Sequence, residues 1–162
     1  MVEAVNRVAA VRQQLIDSRA YLDAVLDRVE GRWDEQVYSD GLQWTVRQLV
    51  IHLADADKGH NNQVMNIAQG RDIIPEDFDI ERYNRRVTEK NAEKSADQAR
   101  AELVESRAQL MTWLDELDES SLDTQGRHAT LRVMTVEQIL GVLSNHERDH
   151  ARDIAQVLQI TV

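Results

Sequence analysis

The chain has 162 residues and a formal net charge of -10; 42% of its residues are hydrophobic, 30% are charged, and it holds six glycines, one proline and no cysteine. This size and composition are typical of one soluble helical domain, residues 1–162, rather than of a disordered or fibrous chain. The negative charge argues against nucleic acid and anionic membranes as partners, and the lack of cysteine excludes disulfides, thiolate metal ligands and a nucleophilic cysteine.

The first residues, MVEAVNRVAAVRQQ, carry charge throughout and contain no hydrophobic signal core, so we expect a cytoplasmic protein. Apolar residues at intervals of three or four then predict a first helix from about Val2 to Val29, before the stop signal Gly31. The second predicted helix begins at Thr45 with a capping box and ends at Gly70.

The stretch from Gly70 to about Lys94 is too long for a tight turn between helices, and it holds the chain's proline. We expect it to cross the bundle. A third helix is predicted from Ser95, where another capping box begins, to the break at residues 119–121. The fourth begins with a box at Thr135 and continues to Leu158.

Short first and third connections and a long middle one predict an all-α, four-helix bundle of up-down-down-up topology. In this topology the second and fourth helices are antiparallel. Residues 44–49 and 134–139 match in type at an offset of 90 residues, which indicates two related helix pairs.

Three histidines lie on the apolar faces of the second and fourth predicted helices. His146 and His150 are four residues apart and share one helix face, and His52 can face them from the other helix. Burying three imidazoles costs free energy unless each one has a partner. The pattern predicts a metal site with three nitrogen ligands, which leaves a coordination position open for water or substrate.

The expected roles of His60, His128 and Asp55 differ from those of the three histidines. His60 lies about 12 Å along the helix from His52, too far to share a metal, and is assigned to the surface or to the neighbourhood of the ligands. His128 is expected to be solvent-exposed. Asp55 is interpreted as a solvated acid, with orientation of a ligand imidazole or an added oxygen ligand as alternatives.

Residues 146–150 also match the H-E-x-x-H signature of zinc proteases. The metzincin continuation requires Gly and His where this chain has Asp153 and Gln156. The sequence also shows no strand-forming region upstream that could hold a peptide substrate. We therefore expect no proteolytic activity.

Three parts of the sequence carry a resemblance to a known family. They are the helix start Trp44-Thr45-Val46 that leads to His52-Leu53-Ala54, the crossover residues 78–84, and Thr135-Val136 leading to His146 and His150. In these parts the chain resembles the DinB-like (YfiT-like) superfamily of metal-binding four-helix bundles. The resemblance covers essentially the whole chain. It implies that His52, His146 and His150 are metal ligands and that the protein forms a homodimer.

Proteins similar to this one include S-transferases that use bacillithiol or mycothiol, metal-dependent isomerases and hydrolases, and proteins without an assigned activity. Three neutral imidazoles leave a divalent metal its full charge, which favours a bound thiolate or hydroxide. We expect zinc, with nickel or iron as alternatives, and activation of a small-molecule thiol for S-transfer to a small-molecule substrate. A hydrolase using metal-bound water, with Glu147 as base, and a non-catalytic metal-binding or stress-response protein remain open.

Overall fold

The computed structural model describes residues 6–162, which form four long helices, one shorter helix and two hairpins. The elements are, in chain order, α1 (Arg7–Leu26), β1 (Gln36–Ser39), β2 (Leu42–Thr45), α2 (Val46–Ile67), α3 (Ile80–Lys90), α4 (Ala96–Asp115), a short 3-10 helix (Glu119–Asp123), β3 (Gln125–Arg127), β4 (Val133–Thr135) and α5 (Val136–Leu158). The predicted start of the first helix at Val2 lies outside the described residues, and α1 ends at Leu26 rather than at Val29.

The predicted helix starts are confirmed by their caps. Thr45, Ser95 and Thr135 each accept a hydrogen bond from the backbone N–H three residues on, and the glutamine there reaches back to the cap's own N–H. These reciprocal bonds satisfy amide donors that a helix start otherwise leaves unpaired.

Contacts between the long helices fix their relative directions. Residue numbers rise together along α1 and α5, and along α2 and α4, so each of these pairs is parallel. They run in opposite order along α1 and α4, which are antiparallel. The contacts between α1 and α5 are Arg7–Glu137 and Ser18–Glu147. Those between α2 and α4 are Lys58–Glu102 and Asn61–Ser106. Those between α1 and α4 are Arg12–Met111 and Arg19–Leu103. The predicted up-down-down-up bundle is confirmed.

Two clusters of buried apolar side chains fill the bundle. One lies towards the β1–β2 hairpin and includes Leu22, Leu49 and Ile154. The other lies towards the β3–β4 hairpin and includes Leu15 and Ile139. A buried polar layer separates the clusters, formed by Ser18, Arg19, Asp57, Ser106, Arg107 and Glu147.

Two antiparallel hairpins are present that the sequence analysis missed. Asp40 and Gly41 both have positive φ, 51° and 74°, as expected for the tight turn that an Asp-Gly pair favours between two strands. β2 ends at Thr45 and β4 at Thr135, so each hairpin leads directly into a capped helix. The expectation that no strand precedes the fourth predicted helix is therefore wrong. The two segments that match in sequence also share this strand-to-helix structure.

The long connection between α2 and α4 contains α3, which was also not predicted. Asp79 caps its first turn by accepting a hydrogen bond from the Arg82 N–H, and none of its side chains is fully buried. The connection links two parallel helices, so it crosses the bundle as expected, with α3 packed on α2. Among the described residues, no helix is both long and apolar enough to span a membrane.

Candidate metal centre

Three imidazole rings converge where α2 passes α5. His52 lies on the second turn of α2, and His146 and His150 lie on successive turns of α5. The Nε2 atom of His146 lies 3.0 Å from Nε2 of His52 and 3.0 Å from Nε2 of His150. The potential ligand atoms of all three lie within 4.8 Å of one another. The structure thus brings together the three residues, hereafter the triad, that the sequence singled out.

The spacing of the triad nitrogens fits a transition metal. Two nitrogens bound at 2.0–2.1 Å are about 2.9 Å apart at a right angle and about 3.3 Å apart at the tetrahedral angle. The observed 3.0 Å separations fall between these values. A divalent ion therefore fits between the rings without large movement of either helix.

The triad is electrically suited to bind a cation. Burial, with the neighbouring histidines, lowers the pKa of His52 to about 3 and lowers the pKa of His146 well below its usual value. Burial also lowers the pKa of His150, although nearby aspartates oppose this. The rings are therefore neutral near pH 7, which leaves lone pairs for a metal.

The β1–β2 hairpin holds one of these rings in place through Ser39. The Ser39 hydroxyl lies 2.7 Å from Nδ1 of His150 and 2.5 Å from a carboxylate oxygen of Asp153. Because the hydroxyl has one proton and the carboxylate has none, Ser39 donates to Asp153 and accepts from Nδ1 of His150. The Nε2 lone pair of His150 is then directed at the other two rings.

Trp44 packs against the triad from the same hairpin. Its ring stacks on His52 with centroids 5.0 Å apart, and its Nε1–H donates to the backbone oxygen of Ser39 at 3.1 Å. Trp44 thus contacts His52 directly and holds Ser39, which in turn holds His150. No sequence pattern had indicated Ser39, because its contact with His150 spans 111 residues.

Glu147 faces away from the triad, so the expectation that it serves as a base there is wrong. One of its carboxylate oxygens accepts from Arg19 at 2.5 Å, and the other accepts from Ser18 at 2.7 Å and from Arg107 at 3.2 Å. The side chain is 2% exposed and lies in the polar layer between α1, α4 and α5. The H-E-x-x-H match therefore lacks its general base.

His128 is buried at 4% exposure rather than solvent-exposed, and it pairs with His60. The Thr130 N–H donates to Nδ1 of His128, so the proton of this neutral ring is on Nε2, which donates to Nε2 of His60 at 3.0 Å. The Nδ1–H of His60 donates to the Ala56 oxygen at 2.7 Å. All four ring nitrogens are engaged.

The His60–His128 pair lies beside the triad without joining it. The ring centroids of His60 and His146 are 6.4 Å apart. Burial lowers the pKa of His128 to about 4 and also lowers the pKa of His60, so both rings are neutral near pH 7. Of the two positions predicted for His60, the surface or the neighbourhood of the triad, the structure shows the second.

Asp55 is half-buried and contacts Tyr83 of α3. Burial raises the pKa of Asp55, while a hydrogen bond from Tyr83 opposes the rise. Burial and the Asp55 carboxylate raise the pKa of Tyr83 to about 12. Asp55 is thus neither a fully solvated acid nor part of the group that converges with the triad.

A cavity of about 310 Å³, hereafter the inner cavity, opens beside His52 and His146. α2, α5, the segment 73–84 and the β3–β4 loop enclose it, and Asp55, His60 and His128 also line it. Its volume is in the range of small-molecule sites. The triad can therefore be reached by a small organic ligand.

Comparisons with known proteins agree with this architecture. The model of the DinB superfamily matches residues 14–154. YfiT from Bacillus subtilis, described as a probable metal-dependent hydrolase with an unusual four-helix bundle topology, matches with a TM-score of 0.70 and 23% identity over 99% of this chain and 92% of that one.

The structure of a mycothiol-dependent maleylpyruvate isomerase matches with a TM-score of 0.68 and 18% identity. The match covers 89% of this chain but 60% of the isomerase, so this chain spans about three fifths of that protein. No curated protein matches the chain in sequence. At these identities, the structural matches show a shared fold.

Proposed function

This chain belongs to the DinB superfamily, and we propose that it binds one divalent transition metal through His52, His146 and His150 to activate a small-molecule thiol for S-transfer. The observation that carries the proposal is the convergence of three neutral imidazoles at the inner cavity, with Nε2 of His146 3.0 Å from Nε2 of both His52 and His150. The described neighbours also include a probable metal-dependent hydrolase and a mycothiol-dependent isomerase.

The residues of the site have different roles in this proposal. His52, His146 and His150 hold the ion, and Ser39 with Asp153 keeps the His150 proton on Nδ1. A divalent ion held there supplies the positive charge that favours a thiolate over a thiol. The chain has no cysteine, so the thiol comes from a second molecule that enters the site.

The surroundings of the triad favour a thiol over water as the nucleophile. Hydrolysis commonly uses a side-chain base to position water and move its proton. Glu147 is held by two arginines on the opposite side, and the nitrogens of His60 and His128 are all engaged. Asp55, the remaining candidate base in the cavity, is hydrogen-bonded to Tyr83. A thiol, with a pKa of about 8.5, loses its proton on metal coordination without such a base.

Hydrolysis is the alternative function, and Asp55 would then act as the base in place of Glu147. The carboxylate of Asp55 lines the inner cavity, and its raised pKa suits proton transfer. A metal-binding protein without turnover is the third possibility, and the experiment below separates all three. Zinc is the proposed metal because it binds imidazole in sites with an open position, and nickel and iron are the alternatives.

The test uses protein loaded with cobalt, which reports its ligands by colour. Added mercaptoethanol should produce a sulfur-to-metal charge-transfer band, absent in His52→Ala, and the same sample should consume an electrophile in a metal-dependent way. No protein thiolate can produce the band, because the chain has no cysteine. No spectral change at millimolar thiol would overturn S-transfer. Ester hydrolysis lost in Asp55→Asn would then establish the alternative.

A further inference from the structure

The walls of the inner cavity are mostly apolar. Ile73, Ile74, Phe78 and Ile80 line it from the connection between α2 and α4, and Val142 lines it from α5. Its volume of about 310 Å³ is about twice that of an engineered 150 Å³ cavity that holds benzene. It therefore accommodates a ligand of about a dozen heavy atoms with an apolar body.

The charges around the inner cavity disfavour an anionic ligand. Among the described residues, no lysine or arginine lines it, and its ionisable acids are Asp40 and Asp55. Sites that recognise carboxylate or phosphate groups normally supply arginine or lysine for this purpose. Apart from a bound metal, nothing on these walls would compensate a negative charge.

One buried polar group of the inner cavity is free to recognise a ligand. The His60–His128 pair is fully hydrogen-bonded within the protein. Gln63 lines the cavity at 5% exposure, and its side-chain oxygen has no hydrogen-bond partner. Because an amide has both donors and an acceptor, Gln63 is suited to anchor one polar group of a ligand.

We propose that the inner cavity binds the electrophile of the reaction, and that this is an uncharged, largely apolar α,β-unsaturated carbonyl compound anchored by Gln63. This inference rests on the proposed S-transfer function. The thiolate sulfur forms a bond to the β-carbon, and the carbon–carbon π pair shifts to give an enolate. The α-carbon then takes up one proton, equal to the one lost by the thiol. The negative charge of the enolate is transient and lies on the oxygen to which the Gln63 amide donates. Because addition releases no leaving group, no separate anion remains between walls that lack arginine and lysine.

A second cleft of about 680 Å³ adjoins the inner cavity and has a different character. The two share Asp40, Ile80, Asn84 and Thr130, but the lining of the outer cleft also includes the charged residues Glu81, Arg85 and Glu89. This outer cleft suits the polar body of a thiol.

The test compares two unreactive ligands of nearly the same shape, benzylacetone and hydrocinnamate. They differ in having a methyl ketone or a carboxylate at the end of the same phenylethyl chain. Binding is measured by NMR titration, with zinc-loaded protein and with protein stripped by EDTA. We expect the ketone to bind both forms within threefold of each other, and the carboxylate to bind the stripped form at least tenfold more weakly than the ketone.

Substitutions in the inner cavity and in the outer cleft show where the ketone binds. Val142→Phe should fill the half-buried wall of the inner cavity and weaken the ketone at least tenfold. Thr88→Phe, in the outer cleft, should leave its affinity unchanged. Gln63→Leu should weaken the ketone about fivefold, as expected for one hydrogen bond. Circular dichroism checks that each variant is folded.

The result that overturns this inference differs from the result that overturns the proposed function. Equal binding of ketone and carboxylate to the stripped protein, or ketone binding unaffected by both Val142→Phe and Gln63→Leu, shows that the ligand assignment is wrong. So does a thiol charge-transfer band without consumption of benzylideneacetone, the unsaturated ketone. Absence of the thiol band alone overturns S-transfer, and the binding titrations do not depend on it.

Discussion

Removing the Ser39 hydroxyl should weaken metal binding even though Ser39 does not contact the metal. Ser39 accepts from Nδ1 of His150 at 2.7 Å and is itself 2% exposed, so Ser39→Ala leaves a buried N–H without a partner. Such a buried orphan donor costs about 1–3 kcal/mol. This cost falls on the metal-bound form, because the metal takes Nε2 and keeps the proton on Nδ1, whereas the stripped protein can move that proton to Nε2. At about 1.4 kcal/mol per factor of ten, metal affinity should fall about 5- to 100-fold.

The assay is a competition titration of EDTA-stripped protein with zinc and a chromophoric chelator. Asp153→Asn should weaken zinc binding less than Ser39→Ala, because an amide oxygen still accepts from the Ser39 hydroxyl. Ser144→Ala is the matched control. Ser144 is a buried serine of α5 whose hydroxyl bonds only within its own helix, to the Gly141 oxygen, and its loss should not change zinc affinity.

A zinc affinity of Ser39→Ala within threefold of the native protein would refute this reasoning. It would show that Nδ1 of His150 finds another partner, or that His150 does not bind the metal through Nε2. A similar loss in Ser144→Ala would indicate a general effect of destabilising α5 instead.

Three further predictions concern pH, the polar layer and proteolysis. The pKa of His52 is lowered to about 3 against 6.5 in the unfolded chain, so acid protonates the unfolded chain first. Stripped protein should therefore lose about 1 kcal/mol of stability from this residue between pH 7.5 and 5.5. Chemical denaturation should show a free energy of unfolding that depends less on pH in His52→Gln than in the native protein, and an equal dependence would contradict this. Glu147→Ala should lower the free energy of unfolding by about 3–5 kcal/mol, because it leaves the buried charges of Arg19 and Arg107 with less negative charge to compensate them. The zinc content per chain should stay unchanged. Loss of zinc from a folded variant would place Glu147 at the metal. Native protein should not cleave casein, and metal-dependent cleavage abolished by Glu147→Ala would reverse the rejection of a protease.

The helices and the triad were predictable because their signals are local. Capping boxes at Thr45, Ser95 and Thr135 mark helix starts within four residues, and the triad lies on periodic apolar faces. The orientation of Glu147 was also available from the sequence. It follows His146 by one residue, about 100° around the helix, so it does not share the face of His146 and His150.

The missed features depend on contacts between distant residues or on very short elements. His128 is buried because it meets His60, 68 residues away, and Ser39 is 111 residues from His150. The β3 and β4 strands have three residues each, too few for an alternating pattern to stand out. The Asp40-Gly41 pair was the one signal that could have revealed a hairpin.

The central claim is that His52, His146 and His150 bind one metal ion, and metal content of purified variants tests it most directly. Elemental analysis should find about one divalent transition metal per native chain. Alanine at any of the three should remove most of it, whereas His60→Ala and His128→Ala should retain it, because that pair lies beside the triad without joining it. Equal loss of metal from all five variants, or full retention in His146→Ala, would contradict the account.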